Sequence, residues 1–366
     1  LHEAFFLSGT QELHLFMVGV GLIGSTLLKQ LKAQTAFLKE KRSLEIKVVG
    51  LANTKKMIFA KDGIDLDNWQ TPLAESETVS DLPIFIARMK EMNLTNSIFI
   101  DNTANEKIAS YYGSILEHSI SISTPNKIAT SSSYLQYQRL KTIANKRGVT
   151  FRYETNVGAG LPVISTLNDL IGSGDEILKI QGVLSGSLSY IFNNFTGDQP
   201  FSKIVAEAKE LGYTEPDPRT DLSGMDVRRK ILILAREAGW PLEQEDVKVA
   251  SILPPAVEAA ESVDEFFTEL AAHNDYFENL RATAAADGKV LRMIASLNES
   301  GKARIALDAV GTDSPFYFLS GSDNMIVFVT ARYQDRPLVV RGPGAGAEVT
   351  AAGVFAEIIS IGKFLF

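Results

Sequence analysis

The sequence predicts an α/β protein with two domains, a doubly wound parallel sheet followed by an α+β domain with a mostly antiparallel sheet. A chain of 366 residues is too long for one ordinary core. Short apolar runs alternate with helical patterns up to residue 153, which is typical of a parallel sheet covered on both faces. We expect a first domain at 1–153, completed by a C-terminal helix within 342–366, and a second domain at 154–341.

Each domain is predicted from its own run of elements. Strands of the first domain are expected at 15–18, 46–52, 97–100, 120–123 and 149–153, with helices at 22–32, 83–92, 105–116 and 133–146. Helices of the second domain are expected at 201–211, 224–238, 262–271 and 273–286, with extended runs at 304–310, 316–320 and 325–333. The end of the chain is a glycine loop followed by a helical pattern, which needs an apolar surface to cover.

Composition restricts the function. A formal charge of −8 without a long basic run argues against nucleic acid and anionic membranes, so a small molecule is the expected partner. The chain has no cysteine, which excludes thiolate chemistry and fits a cytoplasmic location. The sequence contains no uninterrupted run of about 18 apolar residues, so no membrane span is expected.

A glycine motif stands between the first strand and the first helix. Gly19, Gly21 and Gly24 form G-x-G-x-x-G, with Leu22 and Ile23 opening the helix. In such a motif the first glycine permits a tight turn, the second lets backbone approach a pyrophosphate, and the third lets helix pack on strand. The sequence therefore predicts a Rossmann-type dinucleotide site.

The second strand is followed by Asn53, Thr54, Lys55 and Lys56 rather than by a carboxylate. An NAD enzyme usually presents Asp or Glu to the ribose hydroxyls at this point, whereas cations favour a 2′-phosphate. We therefore expect Asn53 and Lys55 to contact the cofactor, with NADP favoured over NAD.

Two further residues follow predicted strands at the carboxyl edge of the sheet, where ligands bind in open α/β folds. Thr103 lies in DNTAN after the third strand, and Lys127 lies in TPNK after the fourth. Thr103 is expected near the nicotinamide end of the cofactor, and Lys127 is expected on the same edge of the sheet.

The segment 208–230 carries five carboxylates and five cations immediately before an apolar helical run. Asp226 and Lys230 are four residues apart, so in a helix they share one face and the carboxylate can hold the ammonium group in place. A lysine held in this way is suited to protonate a substrate oxygen.

This segment, AKELGYTEPDPRTDLSGMDVRRK, resembles the signature of homoserine dehydrogenases. The resemblance extends through GVGLIG, TPNK, ETNVGAGLP, VLSGSLSYIFN and GPGAGAEVTAAG. It implies reversible reduction of L-aspartate 4-semialdehyde to L-homoserine by NAD(P)H, a step of threonine and methionine biosynthesis from aspartate. The opening LHEAFFLSGTQELHLF is similar to the linker of bifunctional proteins, which implies an aspartate kinase domain before it. The resemblance to the family also implies a homodimer formed through the second domain.

The resemblance also implies residue roles. Lys230 would be the general acid, and Asp226 would orient it and bind the substrate amine or hydroxyl. Lys127 would contact both cofactor and substrate and is the rival proton donor. Glu215, Tyr213 and Asp221 would line the substrate pocket, and Thr103, Gly212 and Gly346 would contact the cofactor. A monovalent cation, Na⁺ or K⁺, would be bound by backbone carbonyls at Glu154, Val157, Ala159 and Leu161.

Three other functions were compared with this one. A phosphorylating aldehyde dehydrogenase needs a cysteine nucleophile, which the chain lacks. A hydroxyacid dehydrogenase acting through histidine is disfavoured because His2, His14, His118 and His273 lie outside the predicted edge loops. The remaining alternative is a non-catalytic NAD(P)-binding regulatory module.

Overall fold

The computed structural model describes residues 11–364, and these divide into two units. One unit comprises the chain up to Gly160 together with the chain from Gly346 onward. The other unit is Leu161–Ala345. Residues 1–10 of the stretch that resembles a linker lie outside the described residues. Its remainder, 11–16, is not a linker, because it forms six of the eight residues of the first strand, Gln11–Val18.

The first unit is built on a six-stranded sheet in which five strands are parallel. In chain order its elements are β1 Gln11–Val18, α1 Leu22–Arg42, β2 Leu44–Ala52, β3 Met57–Phe59, α2 Gln70–Glu75, α3 Leu82–Met92, β4 Ser97–Asp101, α4 Glu106–Ala109, α5 Tyr112–Leu116, β5 Ser121–Ser123, α6 Tyr134–Arg147 and β6 Phe151–Arg152. The strand order is β3-β2-β1-β4-β5-β6, and only β3 runs antiparallel to its neighbour.

The second unit is built on a six-stranded, mostly antiparallel sheet. Its elements are α7 Ile164–Gly172, β7 Ile177–Val183, α8 Gly186–Asn194, α9 Phe201–Glu210, α10 Arg219–Leu222, α11 Met225–Glu237, β8 Lys248–Val249, α12 Pro255–Glu258, α13 Val263–Ala272, α14 Asn274–Ala286, β9 Val290–Asn298, β10 Ala303–Val310, β11 Asp323–Thr330 and β12 Leu338–Pro343. The strand order is β12-β11-β7-β9-β10-β8, with only the β10–β8 pair parallel. The α/β class with one mostly parallel and one mostly antiparallel sheet is therefore confirmed.

The last helix, α15 Ala347–Phe364, packs on the sheet of the first unit. Four of its side chains are fully buried and belong to the core formed with β1, β2, β4 and α1: Ala351, Val354, Ile358 and Ile361. Alternate strand residues point to the other face, because side chains of a strand alternate between the two sides. There Phe16, Phe85, Phe99, Tyr112 and Phe151 form a chain of edge-on aromatic contacts.

One predicted strand of the second unit is wrong. Residues 316–320 form turns rather than an extended run, although their aromatic residues resemble those of a strand. The carbonyl groups of Phe316, Tyr317 and Leu319 all accept hydrogen bonds from the Arg292 guanidinium, and the Leu319 N–H bonds back to the Phe316 carbonyl. These bonds use the backbone groups that a strand ladder would need.

In the part of the chain from 11 to 364, no helix is both long and apolar enough to cross a lipid bilayer.

Candidate active site

Two of the three glycines of the motif, Gly19 and Gly24, occupy positions that a larger residue could not share. Gly19 follows β1 with φ of +90°, and a Cβ there would lie 2.7 Å from the Thr103 methyl carbon. A Cβ on Gly24 would lie 2.1 Å from the Gly19 carbonyl oxygen, which shows how closely α1 approaches the strand. A Cβ on Gly21 would meet nothing within 4 Å, so this glycine faces open space.

The N-terminus of α1 is free to bind an anion. Its N-cap residue is Gly21, which supplies no side-chain hydrogen bond, and no acidic residue lies in the first turn. Backbone N–H groups and the positive end of the helix dipole therefore point out of the glycine turn, where Leu22 is 75% exposed. This is the geometry that a pyrophosphate requires.

A cleft of about 510 Å³ extends from the glycine turn. It is lined by Gly19, Val20, Gly21, Asn53, Thr54, Lys55, Trp69, Gln70, Leu73 and Ala74. The Asn53 amide oxygen accepts the backbone N–H groups of Lys55 and Lys56, each at 2.7 Å, and so shapes the loop after β2. That loop contributes Lys55 and no carboxylate to the lining of the cleft, and Lys56 is the next residue along the chain.

Asn102, which the sequence analysis did not select, is a further indication of a ligand. Its Nδ2 atom lies 3.3 Å from where a Gly24 Cβ would be, and both polar atoms of its amide are buried without a partner within residues 11–364. A buried amide in this state is costly unless a ligand or water completes its hydrogen bonds. Together with the uncapped helix, this amide fits a dinucleotide lying across the glycine turn.

The two predicted edge residues lie on turns that follow β4 and β5. Thr103 is held by Asp101, whose Oδ1 atom accepts both the Thr103 hydroxyl, at 2.7 Å, and the Thr103 N–H, at 2.9 Å. Lys127 is partly buried, and its carbonyl accepts the N–H and the hydroxyl of Ser131. Gly346 precedes α15 with φ of +112°, a conformation that favours glycine.

In the second unit, the predicted Asp226–Lys230 pair is present on α11. The Lys230 ammonium lies 2.6 Å from Asp226 Oδ2 and donates to the Leu184 carbonyl at 2.7 Å. Lys230 is buried, whereas the Asp226 side chain is 51% exposed. The Lys230 ammonium is thus fixed by two acceptors. One of them, the Asp226 carboxylate, lies where a ligand in solution can reach it.

The helix that carries this pair begins at a constrained turn. Gly224 has φ of +70°, and a Cβ there would meet Val249, Met293 and Ile305 at 3.5–3.9 Å. The turn carries the chain from α10 into α11. It therefore sets where Asp226 enters the first turn of the helix.

The Leu184 carbonyl is itself held by a residue that the sequence analysis missed. Asn324, on β11, is fully buried and donates its amide to this carbonyl at 3.1 Å. A Cβ on Gly344 would lie 2.0 Å from the Asn324 side chain, so the glycine makes room for it. Polar residues at the start of an apolar strand, as in SDNMIVFV, were the available signal.

Of the other predicted substrate residues, Tyr213 and Glu215 lie on the loop between α9 and α10, and Asp221 lies on α10. The Asp221 carboxylate accepts the Glu215 N–H at 2.9 Å and the Ser187 hydroxyl at 2.7 Å. This leaves Asp221 fixing the loop while the Glu215 side chain is exposed. Tyr213 stacks on Tyr190, with ring centroids 4.3 Å apart. Gly212 ends α9 with φ of +74°.

The predicted cation site is not tested by the structure. Glu154, Val157 and Ala159 belong to the first unit and Leu161 to the second. Ala159 has a positive φ of +52°, and the Glu154 carbonyl accepts the Val157 N–H at 3.2 Å. Among residues 11–364, no cluster of three or more His, Asp or Glu side chains could hold a metal ion. A site made of carbonyl groups remains a prediction.

A parallel sheet with an uncapped glycine turn, together with a separate unit that holds a buried lysine, defines a nucleotide-dependent α/β protein. Family models support a narrower class: residues 19–154 match the NAD-binding domain of homoserine dehydrogenase, and residues 162–359 match homoserine dehydrogenase itself. The chain belongs to the homoserine dehydrogenase family.

Individual relatives agree with this assignment. The chain is 46% identical, over its whole length, to a chloroplastic bifunctional aspartokinase/homoserine dehydrogenase of Zea mays, of which it covers 40%. It is 40% identical to the homoserine dehydrogenase of Schizosaccharomyces pombe, with 94% of each chain covered. The fold is similar to that of a hyperthermophilic archaeal homoserine dehydrogenase in complex with NADPH, with a TM-score of 0.74 at 21% identity, covering 97% of this chain and 99% of that one. The chain thus spans less than half the length of the bifunctional relative.

Proposed function

We propose that this chain interconverts L-aspartate 4-semialdehyde and L-homoserine by hydride transfer with NAD(P)H. The observation that carries the proposal is the buried Lys230 ammonium, held between Asp226 and the Leu184 carbonyl. Family membership and the glycine turn with its uncapped helix support the cofactor part of the proposal. A regulatory module that only binds the cofactor would have no need of a fixed proton donor.

The chain's own residues supply what the chemistry needs. When bound, the reduced nicotinamide delivers a hydride to the aldehyde carbon, and the carbonyl oxygen gains negative charge. Lys230 gives that oxygen a proton, because an ammonium group beside a developing alkoxide stabilises it and can then neutralise it. Asp226 keeps Lys230 in place, and its half-exposed carboxylate binds the substrate's ammonium or hydroxyl group. Lys127 is the rival donor.

Substrate recognition is proposed for the loop between α9 and α10. The substrate carries both an ammonium group and a carboxylate, so the pocket needs charges of both signs. Glu215 offers an exposed carboxylate, and Asp221 keeps the backbone beneath it fixed. Tyr213, stacked on Tyr190, forms an apolar wall beside them.

The test is oxidation of L-homoserine followed by the absorbance of the reduced cofactor. Lys230→Met should lower kcat by about 10²- to 10⁴-fold, the usual contribution of one proton-transferring residue. Lys47→Met is the matched control, because Lys47 is also bonded to a carboxylate at 2.6 Å, that of Glu12. Wild-type protein that binds cofactor without oxidising homoserine would refute the proposal in favour of the regulatory module.

We also propose a preference for NADP over NAD. The loop after β2 places Lys55 beside the cleft of the glycine turn, with Lys56 next to it, and offers no carboxylate to the ribose. Replacing both lysines with glutamate should raise KM for NADPH at least tenfold and leave KM for NADH nearly unchanged, because only NADPH carries the 2′-phosphate. Equal losses for both cofactors would contradict the preference. Lys39→Glu, at an exposed lysine of α1, is the control.

Assembly and location are also proposed. The bifunctional relative supports a parent protein with an aspartate kinase domain, and the family resemblance supports a homodimer formed through the second unit. The edge strand β12 there has alternating exposure, with Val339 41% exposed. A monovalent cation at the carbonyls of Glu154, Val157, Ala159 and Leu161, and a cytoplasmic location, also remain proposals. The maize relative is named as chloroplastic.

A further inference from the structure

A single buried carboxylate lies behind both edge loops of the first unit. Asp101, the last residue of β4, is 0% exposed, and burial raises the pKa of its carboxyl group despite several hydrogen bonds that lower it. Burying a carboxylate is costly, so its partners must be well placed for it to be tolerated. Each of its two oxygens has a different set of partners.

The first oxygen fixes the turn that carries Thr103. Asp101 Oδ1 accepts the Thr103 N–H at 2.9 Å and its hydroxyl at 2.7 Å, which sets both the backbone and the side-chain rotamer. With its hydroxyl held in this way, the Thr103 methyl group lies against Gly19, since a Cβ added to Gly19 would be 2.7 Å from it. Asp101 Oδ1 therefore fixes the position of Thr103 against the glycine turn.

The second oxygen fixes the turn that carries Lys127. Asp101 Oδ2 accepts the Asn126 amide at 3.0 Å and the buried Tyr112 hydroxyl at 2.6 Å. The other end of the Asn126 amide accepts the Ile128 N–H at 3.0 Å. Lys127 lies between these two attachment points, so its backbone is held on both sides.

We propose that Asp101 is a positioning residue for cofactor binding, which aligns the Thr103 turn and the Lys127 turn through its two carboxylate oxygens. The buried Tyr112 hydroxyl supports Asp101, because its hydrogen bond to Oδ2 fixes the Asp101 rotamer. In that rotamer Oδ1 faces the Thr103 turn and Oδ2 faces the Lys127 turn. The inference deepens the proposed function, since it rests on Thr103 and Lys127 meeting the cofactor.

The test is Asp101→Asn, which keeps the size of the side chain but can accept hydrogen bonds with only one of its two atoms. One loop must therefore lose its acceptor and face an N–H group instead. We expect NADPH to bind the free protein at least tenfold more weakly, measured by quenching of protein fluorescence. Tyr112→Phe, which removes one donor and leaves the carboxylate, should show a smaller loss and serves if the first variant does not fold.

The matched control is Asp175→Asn. Asp175 is also a buried carboxylate, and it accepts a threonine hydroxyl, that of Thr330, at 2.7 Å, together with backbone N–H groups. It belongs to the second unit, so its loss should lower thermal stability without changing the affinity for NADPH. Equal weakening of NADPH binding by both variants would reduce Asp101 to a general structural role and overturn the proposal.

A double-mutant cycle separates positioning from packing. If Asp101 acts through Thr103, the effect of Asp101→Asn on NADPH affinity should be at least halved on the logarithmic scale in a Thr103→Val background. Additive effects, or unchanged affinity in both Asp101→Asn and Tyr112→Phe, would overturn the inference. Failure of the proposed function gives a different result: wild-type protein would bind NADPH, Asp101→Asn would bind it less, and homoserine would not be oxidised.

Discussion

Arg292 is a buried cation without a carboxylate partner among the hydrogen bonds that the structure gives it. Its guanidinium donates to five backbone carbonyls, those of Leu291, Phe192, Phe316, Tyr317 and Leu319, at 2.8–3.3 Å. Burial lowers its pKa to about 10, which still leaves it charged near neutral pH. Arginine has five N–H donors, so all of them are used.

Replacing Arg292 with methionine should destabilise the second unit by about 3 kcal/mol or more, because buried carbonyls lose their partners at about 1–3 kcal/mol each. Arg292→Lys keeps three N–H donors, so its free energy of unfolding should lie between those of the wild type and Arg292→Met. Denaturation followed by Trp240 fluorescence in a Trp69→Phe background reports the second unit alone, since the chain has two tryptophans. Arg304→Met, at an exposed ion pair of the same unit, should change stability by less than about 1 kcal/mol. A similarly small change for Arg292→Met would contradict the role.

At the scale of elements, Glu357 joins α15 to the carboxyl edge of the first sheet. Its carboxyl group accepts the Ser123 hydroxyl and the Glu154 N–H, and Arg152 lies near enough to lower its pKa. Burial outweighs these effects and raises the pKa to about 8, from an ordinary value of 4.5. The folded protein therefore binds this proton more tightly than the unfolded chain.

A raised pKa in the folded state gives stability that is fully present below about pH 4.5 and is lost as pH rises through about 8. The free energy of unfolding of the first unit should therefore fall across this window, as followed by Trp69 fluorescence in a Trp240→Phe background. Glu357→Gln cannot titrate and should remove most of the decline. Glu348→Gln, at an exposed position of the same helix, should retain it. An unchanged slope in Glu357→Gln would show that other groups cause the decline.

Elements with a clear period could be predicted, and those set by tertiary bonds could not. The alternation of strand and helix predicted the parallel sheet, because β1 and β4 each contain a short apolar run, residues 15–18 and 98–100. The three-residue β3 is too short to show a period. Residues 316–320 have the composition of a strand, but only the distant Arg292 decides that their carbonyls bond a side chain rather than a neighbouring strand.

At the scale of the whole molecule, charged residues of the candidate site could be predicted from the sequence. The buried residues that hold them in position could not. Asp226 and Lys230 could be paired from their spacing alone. Asn324, the Leu184 carbonyl and Asp101 could not, because they are joined to the site by contacts between residues far apart in the chain. Asp221 was expected to line the substrate pocket, and the structure shows its carboxylate bonded to Ser187 and to the Glu215 backbone.

The central claim is that the held Lys230 ammonium protonates the substrate oxygen as the hydride arrives. The most direct measurement is single-turnover oxidation of NADPH with protein in excess over L-aspartate 4-semialdehyde, for the wild type, Lys230→Met and Lys127→Met. The account predicts that Lys230→Met binds NADPH as the wild type does and oxidises it about 10²- to 10⁴-fold more slowly. Wild-type oxidation by Lys230→Met, with the loss confined to Lys127→Met, would contradict the claim.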